Sequence, residues 1–348
     1  MPDQTLLTEL TAIEARVSQT KLPEELQVKV LSMTSQLRHM VKLGEYSIEY
    51  EHLAHYIDWI CSLPWFVRSE DLLDLTHARQ ILDKNHYGLS SLKERVLEYL
   101  STLALKGQKQ EVTHAPILCL VGLVGTGKTT LSSSIAEAMG RKFGRIALGG
   151  MGSASQLRGQ SRAYPDAEPG QVIKVLKHGG TKNPVILLDE IDRVADGARS
   201  DIMGVLLELL DPEQNLAFTD HFIDYPFDLS EVLFIATCNN TTNISTAVLD
   251  RLEPIHMPSY TDQEKIVIGR DYVLSKMIDI AGLEKDDIQI APDLWPQIVR
   301  PLGFDAGMRT LERTIEGICR KVAKMKVEGK GEKFQITPEN VKEFLPTW

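Results

Sequence analysis

Apolar residues follow two different rhythms along this chain, and the change between them divides it into three parts. In the first sixty residues, Leu26, Val30, Met33, Leu37 and Met40 recur at alternating steps of four and three, which predicts a helix with one apolar seam. Such a seam wants a partner, either neighbouring helices of the same chain or an oligomerisation coil. A second amphipathic stretch spans 45–65, with Pro64 at its end, and a third begins near Leu75. Over 106–114 the composition turns polar, as in a linker. From 115 to 257 the rhythm changes. Short apolar runs at 116–121, 144–148, 185–189 and 232–238 alternate with helical patterns, the signature of a parallel sheet covered on both faces. After Pro258 the strand-like runs stop, and 261–281, 292–301, 307–326 and 338–345 read as four helices. Thr261 and Glu264 form a capping-box pair at the start of the first. The expected architecture is an α/β core over 107–257, between a helical N-terminal region (1–106) and a C-terminal helical lid (258–348).

The junction after the first apolar run carries the chemistry. Gly122-Leu123-Val124-Gly125-Thr126-Gly127-Lys128-Thr129 is an unbroken G-x-x-x-x-G-K-[ST] phosphate loop, and 131–139 reads as a helix closed by Gly140. Backbone N–H groups and a helix N-terminus, worth roughly half a positive charge, suit a polyphosphate. Lys128 would reach the β- and γ-phosphates and the Thr129 hydroxyl would ligate Mg²⁺, with Thr130 next in the nucleotide-binding set. Val185-Ile186-Leu187-Leu188 ends in Asp189 and Glu190. At a strand end beside the loop, Asp189 would hold Mg²⁺ through water and Glu190 would polarise the water that attacks the γ-phosphate. The run 233–238 ends in Asn239, a polar amide placed as a sensor of hydrolysis needs it. Arg251 follows at a distance that fits an arginine offered to an adjacent subunit's nucleotide. A surface Arg paired with Asp250 or Glu253 fits the spacing equally. Arg309 opens a lid helix and could reach back to the phosphates.

Composition narrows the rest. The 348 residues are 43% hydrophobic and 25% charged, ordinary for a globular protein. A formal charge of −10 argues against a nucleic-acid partner. No apolar run is long enough to span a bilayer, and the N-terminus lacks the pattern of a secretory leader, which points to the cytoplasm or an organelle matrix. Cys61, Cys119, Cys238 and Cys319 are scattered and read as free thiols. His52 and His55 could share a helix face, but nothing nearby completes a metal set.

Together these are the parts of an oligomeric AAA+ ATPase, and the chain resembles the ATPase module of Lon proteases over nearly its whole length. The resemblance is carried by Ile57-Asp58-Trp59 through Ser62-Leu63-Pro64-Trp65 and by 75–94, with Asn85-His86-Tyr87-Gly88-Leu89. It continues through Ile135-Ala136-Glu137-Ala138, Thr181-Lys182-Asn183-Pro184 to Asp192, and Leu209-Leu210-Asp211-Pro212-Glu213-Gln214-Asn215. Phe218-Thr219-Asp220-His221-Phe222 and Pro226-Phe227-Asp228-Leu229-Ser230 complete it. By that resemblance Asn239 is the first sensor, Arg251 the arginine finger and Arg309 the second sensor, while His86, Tyr87, Gly88 and Leu89 line the adenine pocket. It also implies ATP and Mg²⁺ as cofactors and a ring of about six subunits that remodels or translocates protein.

Three departures bear on that expectation. Leu123-Val124 stands where the family usually has Pro-Pro, without special chemistry at stake. The substrate-gripping loop reads Ala163-Tyr164-Pro165-Asp166-Ala167-Glu168. Its aromatic survives, but Pro165 stiffens it and the carboxylates disfavour apolar or acidic substrate. In the second pore loop Gly197-Ala198-Arg199 replaces a bulky residue. Neutral drift accounts for these changes, or the ring threads weakly or selectively. No segment resembles the family's Ser–Lys protease nucleophile, so peptidase activity is not expected of the chain as given. A separate protease or adaptor, the ATPase fragment of a full Lon protease, and a nucleotide-dependent switch that no longer threads polypeptide remain alternatives.

Overall fold

Short runs of β-branched and aliphatic residues that are apolar on both sides can be stable only inside a covered sheet, and that is where they lie. The computed structural model describes residues 4–43, 47–109, 117–300 and 307–345. The N-terminal region consists of α1 (Gln4–Gln19), α2 (Glu24–Leu43), α3 (Ile48–Ser62), α4 (Leu75–Asn85) and α5 (Ser90–Lys109). Helix α2 packs against both α1 and α3, so its apolar seam faces neighbours of the same chain. The buried line on α2 is Leu26, Val30, Thr34, Leu37 and Val41. Met33 and Met40, at the edge of that line, are half-buried and pack against the same core, as a period of about 3.6 rather than 3.5 places them. The Tyr56 hydroxyl donates to the Ile223 carbonyl at 2.8 Å, and the Trp65 ring packs against Phe227 at 5.0 Å, fastening α3 and its exit to the core. The polar stretch expected as a linker begins inside α5; residues 110–114 of it lie outside the described residues.

The core runs β1 (Ile117–Val121), α6 (Lys128–Ala138), β2 (Phe143–Ala147), α7 (Ser155–Arg158), α8 (Gln171–Gly179), β3 (Val185–Asp189) and α9 (Arg199–Leu210). It continues through a small hairpin of β4 (Phe218–Thr219) and β5 (Pro226–Phe227), then β6 (Leu233–Cys238), α10 (Thr246–Leu249) and β7 (Leu252–His256). Among the described residues five strands form a parallel sheet in the order β2-β3-β6-β1-β7, as the alternation of strand and helix patterns predicts. Of the strands in this sheet, β7, paired to β1 at the edge, was not expected from the pattern, nor was the β4–β5 hairpin outside it. Only its first and fourth residues are buried, and it contains Pro254, which an edge tolerates. The chain order reverses on either side of β1, and a crevice at such a switch point is where doubly wound sheets bind ligands.

The lid comprises α11 (Asp262–Ile268), a π-helical turn over Gly269–Val273, α12 (Leu274–Ile280), β8 (Ile288–Ile290), α13 (Trp295–Val299), α14 (Arg309–Val327), β9 (Phe334–Ile336) and α15 (Val341–Phe344). The Thr261/Glu264 capping box is formed at the head of α11. The expectation that strands end at Pro258 is corrected: β8 and β9 pair in parallel, Ile288 opposite Phe334. Three-residue strands far apart in sequence leave no periodic trace, and Phe334 and Ile336 join Trp295, Ile298 and Ile315 in a separate lid core.

Candidate nucleotide site

The phosphate loop leaves β1 and enters α6 through two left-handed glycines, Gly125 (φ 82°) and Gly127 (φ 90°). At its centre the Lys128 ammonium donates to the carbonyls of Gly122 (2.5 Å) and Leu123 (3.0 Å) and to Asn239 Oδ1 (3.2 Å). Burial pushes the Lys128 pKa down, opposed chiefly by Asp189, then by Cys238, Asp192 and Glu190. The loop thus holds one buried cation ringed by acceptors. The Thr126 hydroxyl bonds to the Leu123 carbonyl (2.9 Å) and that of Thr130 to Gly127 (2.8 Å), while Thr129 occupies the second position of α6.

Parallel strands β3 and β6 end side by side and deliver the polar residues. Asp189 Oδ1 accepts the Thr237 hydroxyl, and Oδ2 accepts Arg145 from β2 (2.8 and 2.6 Å). Glu190 has left-handed backbone (φ 59°, ψ 48°), a strained conformation for a residue with a Cβ, and its N–H donates to Thr237 Oγ1 at 3.0 Å. Its carboxylate lies 3.5 Å from Arg193. Asp192 accepts the N–H groups of Asn239 (3.1 Å) and Asn240 (3.3 Å), fixing the end of β6. Two buried atoms here, Asn239 Nδ2 and Asp192 Oδ1, have no hydrogen-bond partner among the described residues. A buried amide donor beside a buried ammonium is chemically suited to an anionic oxygen.

Oxygen donors alone, the Thr129 hydroxyl and the Asp189 carboxylate, face the question of a metal. A hard-oxygen set suits Mg²⁺, which keeps several of its waters. Thr237 and Arg145 orient the Asp189 carboxylate, whose remaining lone pairs suit a cation or its water.

The lid closes directly on the loop. The Met308 N–H donates to the Gly125 carbonyl at 2.9 Å, and a Cβ at Gly307 would meet the Val124 carbonyl at 2.4 Å, so glycine is required there. Arg309, the next residue, begins α14 with an exposed side chain. The Tyr260 hydroxyl donates to the Thr126 carbonyl at 3.2 Å. On the other flank the 86–89 segment lies between α6 and α11. His86 Nε2 meets Ser134 Oγ at 2.9 Å, and a Cβ on Gly88 would sit 3.5 Å from Glu264. Burial, aided by the Lys93 charge and opposed by a backbone hydrogen bond to Thr130, depresses the His86 pKa to about 4, so the ring is neutral. Tyr87 is part-exposed, and Leu89 is left-handed (φ 55°).

Arg251 stands apart from this cluster. It pairs with neither Asp250 nor Glu253: its guanidinium bonds to Asp211 at 2.7 Å, at the C-terminal end of α9. The Asp211 carboxylate also accepts the Glu213 N–H (2.9 Å), and these contacts hold its pKa below the usual range. Tyr164, Pro165 and Asp166 occupy an exposed turn closed by Tyr164 N–H to the Ser161 carbonyl (3.0 Å). Residues 197–199, expected as a second pore loop, lie where a 3₁₀ turn leads into α9, with Ala198 buried and Arg199 paired to Asp196. Arg145, Thr237, Asp192, Asp211 and Tyr260 were not singled out from sequence. Thr237 carried a signal, as a lone hydroxyl inside an otherwise apolar strand.

Comparison with known families agrees with this geometry. Residues 118–259 match the AAA model, "ATPase family associated with various cellular activities", and 279–335 match the Lon protease AAA+ ATPase lid domain. The chain is similar to Lon protease of Lawsonia intracellularis, 44% identical over 97% of this chain and 40% of that protein. It is similar to Lon protease 2 of Herpetosiphon aurantiacus, 42% identical over 98% and 41%. Lon protease 1 of Bacillus subtilis is 41% identical over 97% and 43%. The chain therefore spans about 40% of the length of the curated relatives it matches.

Proposed function

The chain belongs to the Lon family as its AAA+ ATPase portion, and on that premise we propose that it hydrolyses ATP at subunit interfaces to remodel or translocate protein. The observation that carries the reading is the buried Lys128 ammonium bridging the phosphate loop and Asn239, beside an Asn239 amide N–H that lacks an acceptor among the described residues.

In this reading Lys128 neutralises charge on the β- and γ-phosphates, and the loop N–H groups and the α6 N-terminus orient them. Thr129 and Asp189 are the residues that would hold Mg²⁺, which would supply positive charge to the phosphate oxygens. Glu190, fixed by its left-handed backbone, accepts the proton of the attacking water. Asn239 donates its Nδ2 hydrogen to the γ-phosphate, and Arg309 approaches it from the lid. Arg251, outside its own subunit's cluster and held by Asp211, serves the neighbour's site in a ring of about six. His86 to Leu89 enclose the adenine. Tyr164, with Pro165 and Asp166, contacts substrate polypeptide in the cytoplasm or an organelle matrix, with a separate protease or adaptor as a further partner.

A second reading, a nucleotide-driven switch that does not move polypeptide, is favoured by the backbone-bonded turn at Ser161–Tyr164 followed by Pro165, which restrains the loop. Steady-state ATP hydrolysis with and without denatured casein separates them. Stimulation is expected from a remodelling motor; turnover indifferent to casein would leave the switch.

A further inference from the structure

Between α2, α3 and the 161–168 loop lies a groove of about 750 Å³, within the about 300–1,000 Å³ usual for ligand sites. None of residues 122–129 lines it, so it is distinct from the nucleotide site. Its lining combines two chemistries. Tyr164 is 67% exposed at the rim, and Phe222 forms an aromatic wall whose ring packs against Tyr56 and His55. Around them stand four carboxylates, Glu49 and Glu51 from α3 and Asp166 and Glu168 from the loop. Among the described residues, the Arg and Lys side chains facing them are engaged. Arg162 stacks over the Tyr56 ring at 3.9 Å and reaches Asp224 at 3.5 Å, while Lys174 pairs with Glu168.

An acidic segment is repelled by such carboxylates, and a purely apolar one gains only the aromatic contact. A Lys or Arg side chain gains twice, because its charge meets carboxylates while its stem or guanidinium face lies on an aromatic ring. We propose that this groove is an entry subsite for extended polypeptide carrying Lys and Arg, so that charge decides which segments the ring engages. The proposal rests on the remodelling reading and names its substrate class. Pro165, which stiffens the loop, keeps Asp166 and Glu168 presented toward α3 at low entropic cost.

Fluorescence anisotropy of the whole chain tests it, with labelled extended peptides identical except that one set of positions carries Lys, Gln or Glu. Exposed charge pairs are individually weak, and several acting together should make the Lys peptide bind about tenfold tighter than the Glu peptide at low salt. The gap should close at ~0.5 M salt, where screening is short-ranged. Joint Glu49→Gln and Glu51→Gln substitution, at exposed positions of α3, should shrink the preference severalfold. Equal binding of the three peptides, with casein still stimulating hydrolysis, overturns the charge selection alone. Absence of binding by any peptide, with hydrolysis indifferent to casein, overturns the selection and the remodelling reading together.

Discussion

The phosphate loop and the 161–168 loop are both turns that present polar groups, yet the fold treats them differently. Around Lys128 the charged groups are tied into the fold: the ammonium has three acceptors, Asp189 has Thr237 and Arg145, and one oxygen of Asp192 caps two backbone N–H groups. These groups sit at the ends of buried strands, where a shift of one residue in register would turn every side chain to the other face. Tyr164 and Asp166 belong to an exposed turn that the core does not depend on. Phosphate chemistry leaves little freedom in where charge is placed, whereas the choice of polypeptide can be retuned by surface residues without disturbing packing. On the proposed reading, the strand-end site is fixed by the fold while the 161–168 loop is free to vary.

Substitutions at the two loops sharpen this contrast. The largest losses belong to the strand-end site: Glu190→Gln should cut ATP turnover by about 10³-fold, in the range for a general base, with nucleotide binding retained. Retained hydrolysis would sink the assignment of the base. Arg251→Ala should cost a comparable ~10³-fold. Mixed with Lys128→Ala subunits, it should recover activity at about a quarter of the interfaces if the arginine acts in trans. No recovery on mixing would place Arg251 in a purely structural pairing with Asp211. Next in size, Tyr164→Ala should bring casein-stimulated turnover down to the unstimulated rate; persistent stimulation would mean the exposed aromatic is not the gripping residue.

The smallest effect is one of stability. His86 titrates at about 4 in the folded chain against an ordinary value of 6.5, so the unfolded chain takes up a proton first as pH falls. The stability from the neutral buried ring is complete above about pH 6.5 and is lost as pH falls toward 4, on the order of 1–2 kcal/mol between pH 7 and 5. Denaturation midpoints of the parent should therefore fall more steeply over that interval than those of His86→Gln. Parallel curves would show that the ring is not protected from its proton.

The sequence made the sheet legible where strands are apolar throughout, as in β3 and β6, and the nucleotide loop where spacing alone encodes a geometry. It concealed β7, since two buried residues and a proline look like a turn, and β8 and β9, whose partners are distant along the chain. Side-chain partners were hidden for a related reason. Arg145 meets Asp189, and Arg251 meets Asp211, only because strand order and helix packing bring together residues 44 and 40 positions apart. Local pattern carries no record of such pairings, and for that reason Arg251 was equally compatible with Asp250 or Glu253 until the fold was known.

The junction between loop and lid has a mechanical consequence. Gly307 and Met308 meet Val124 and Gly125 backbone to backbone, with no flexible side chain between them to absorb displacement. Helix α14 begins at the next residue and runs for 19 residues, about 28 Å at 1.5 Å per residue. A tilt of about 5° at the docked end would swing the far end by about 2.4 Å, given that length. The phosphate loop is thus the fulcrum of a lever arm, and a small adjustment at the docked end becomes a displacement of ångströms at the far end of α14.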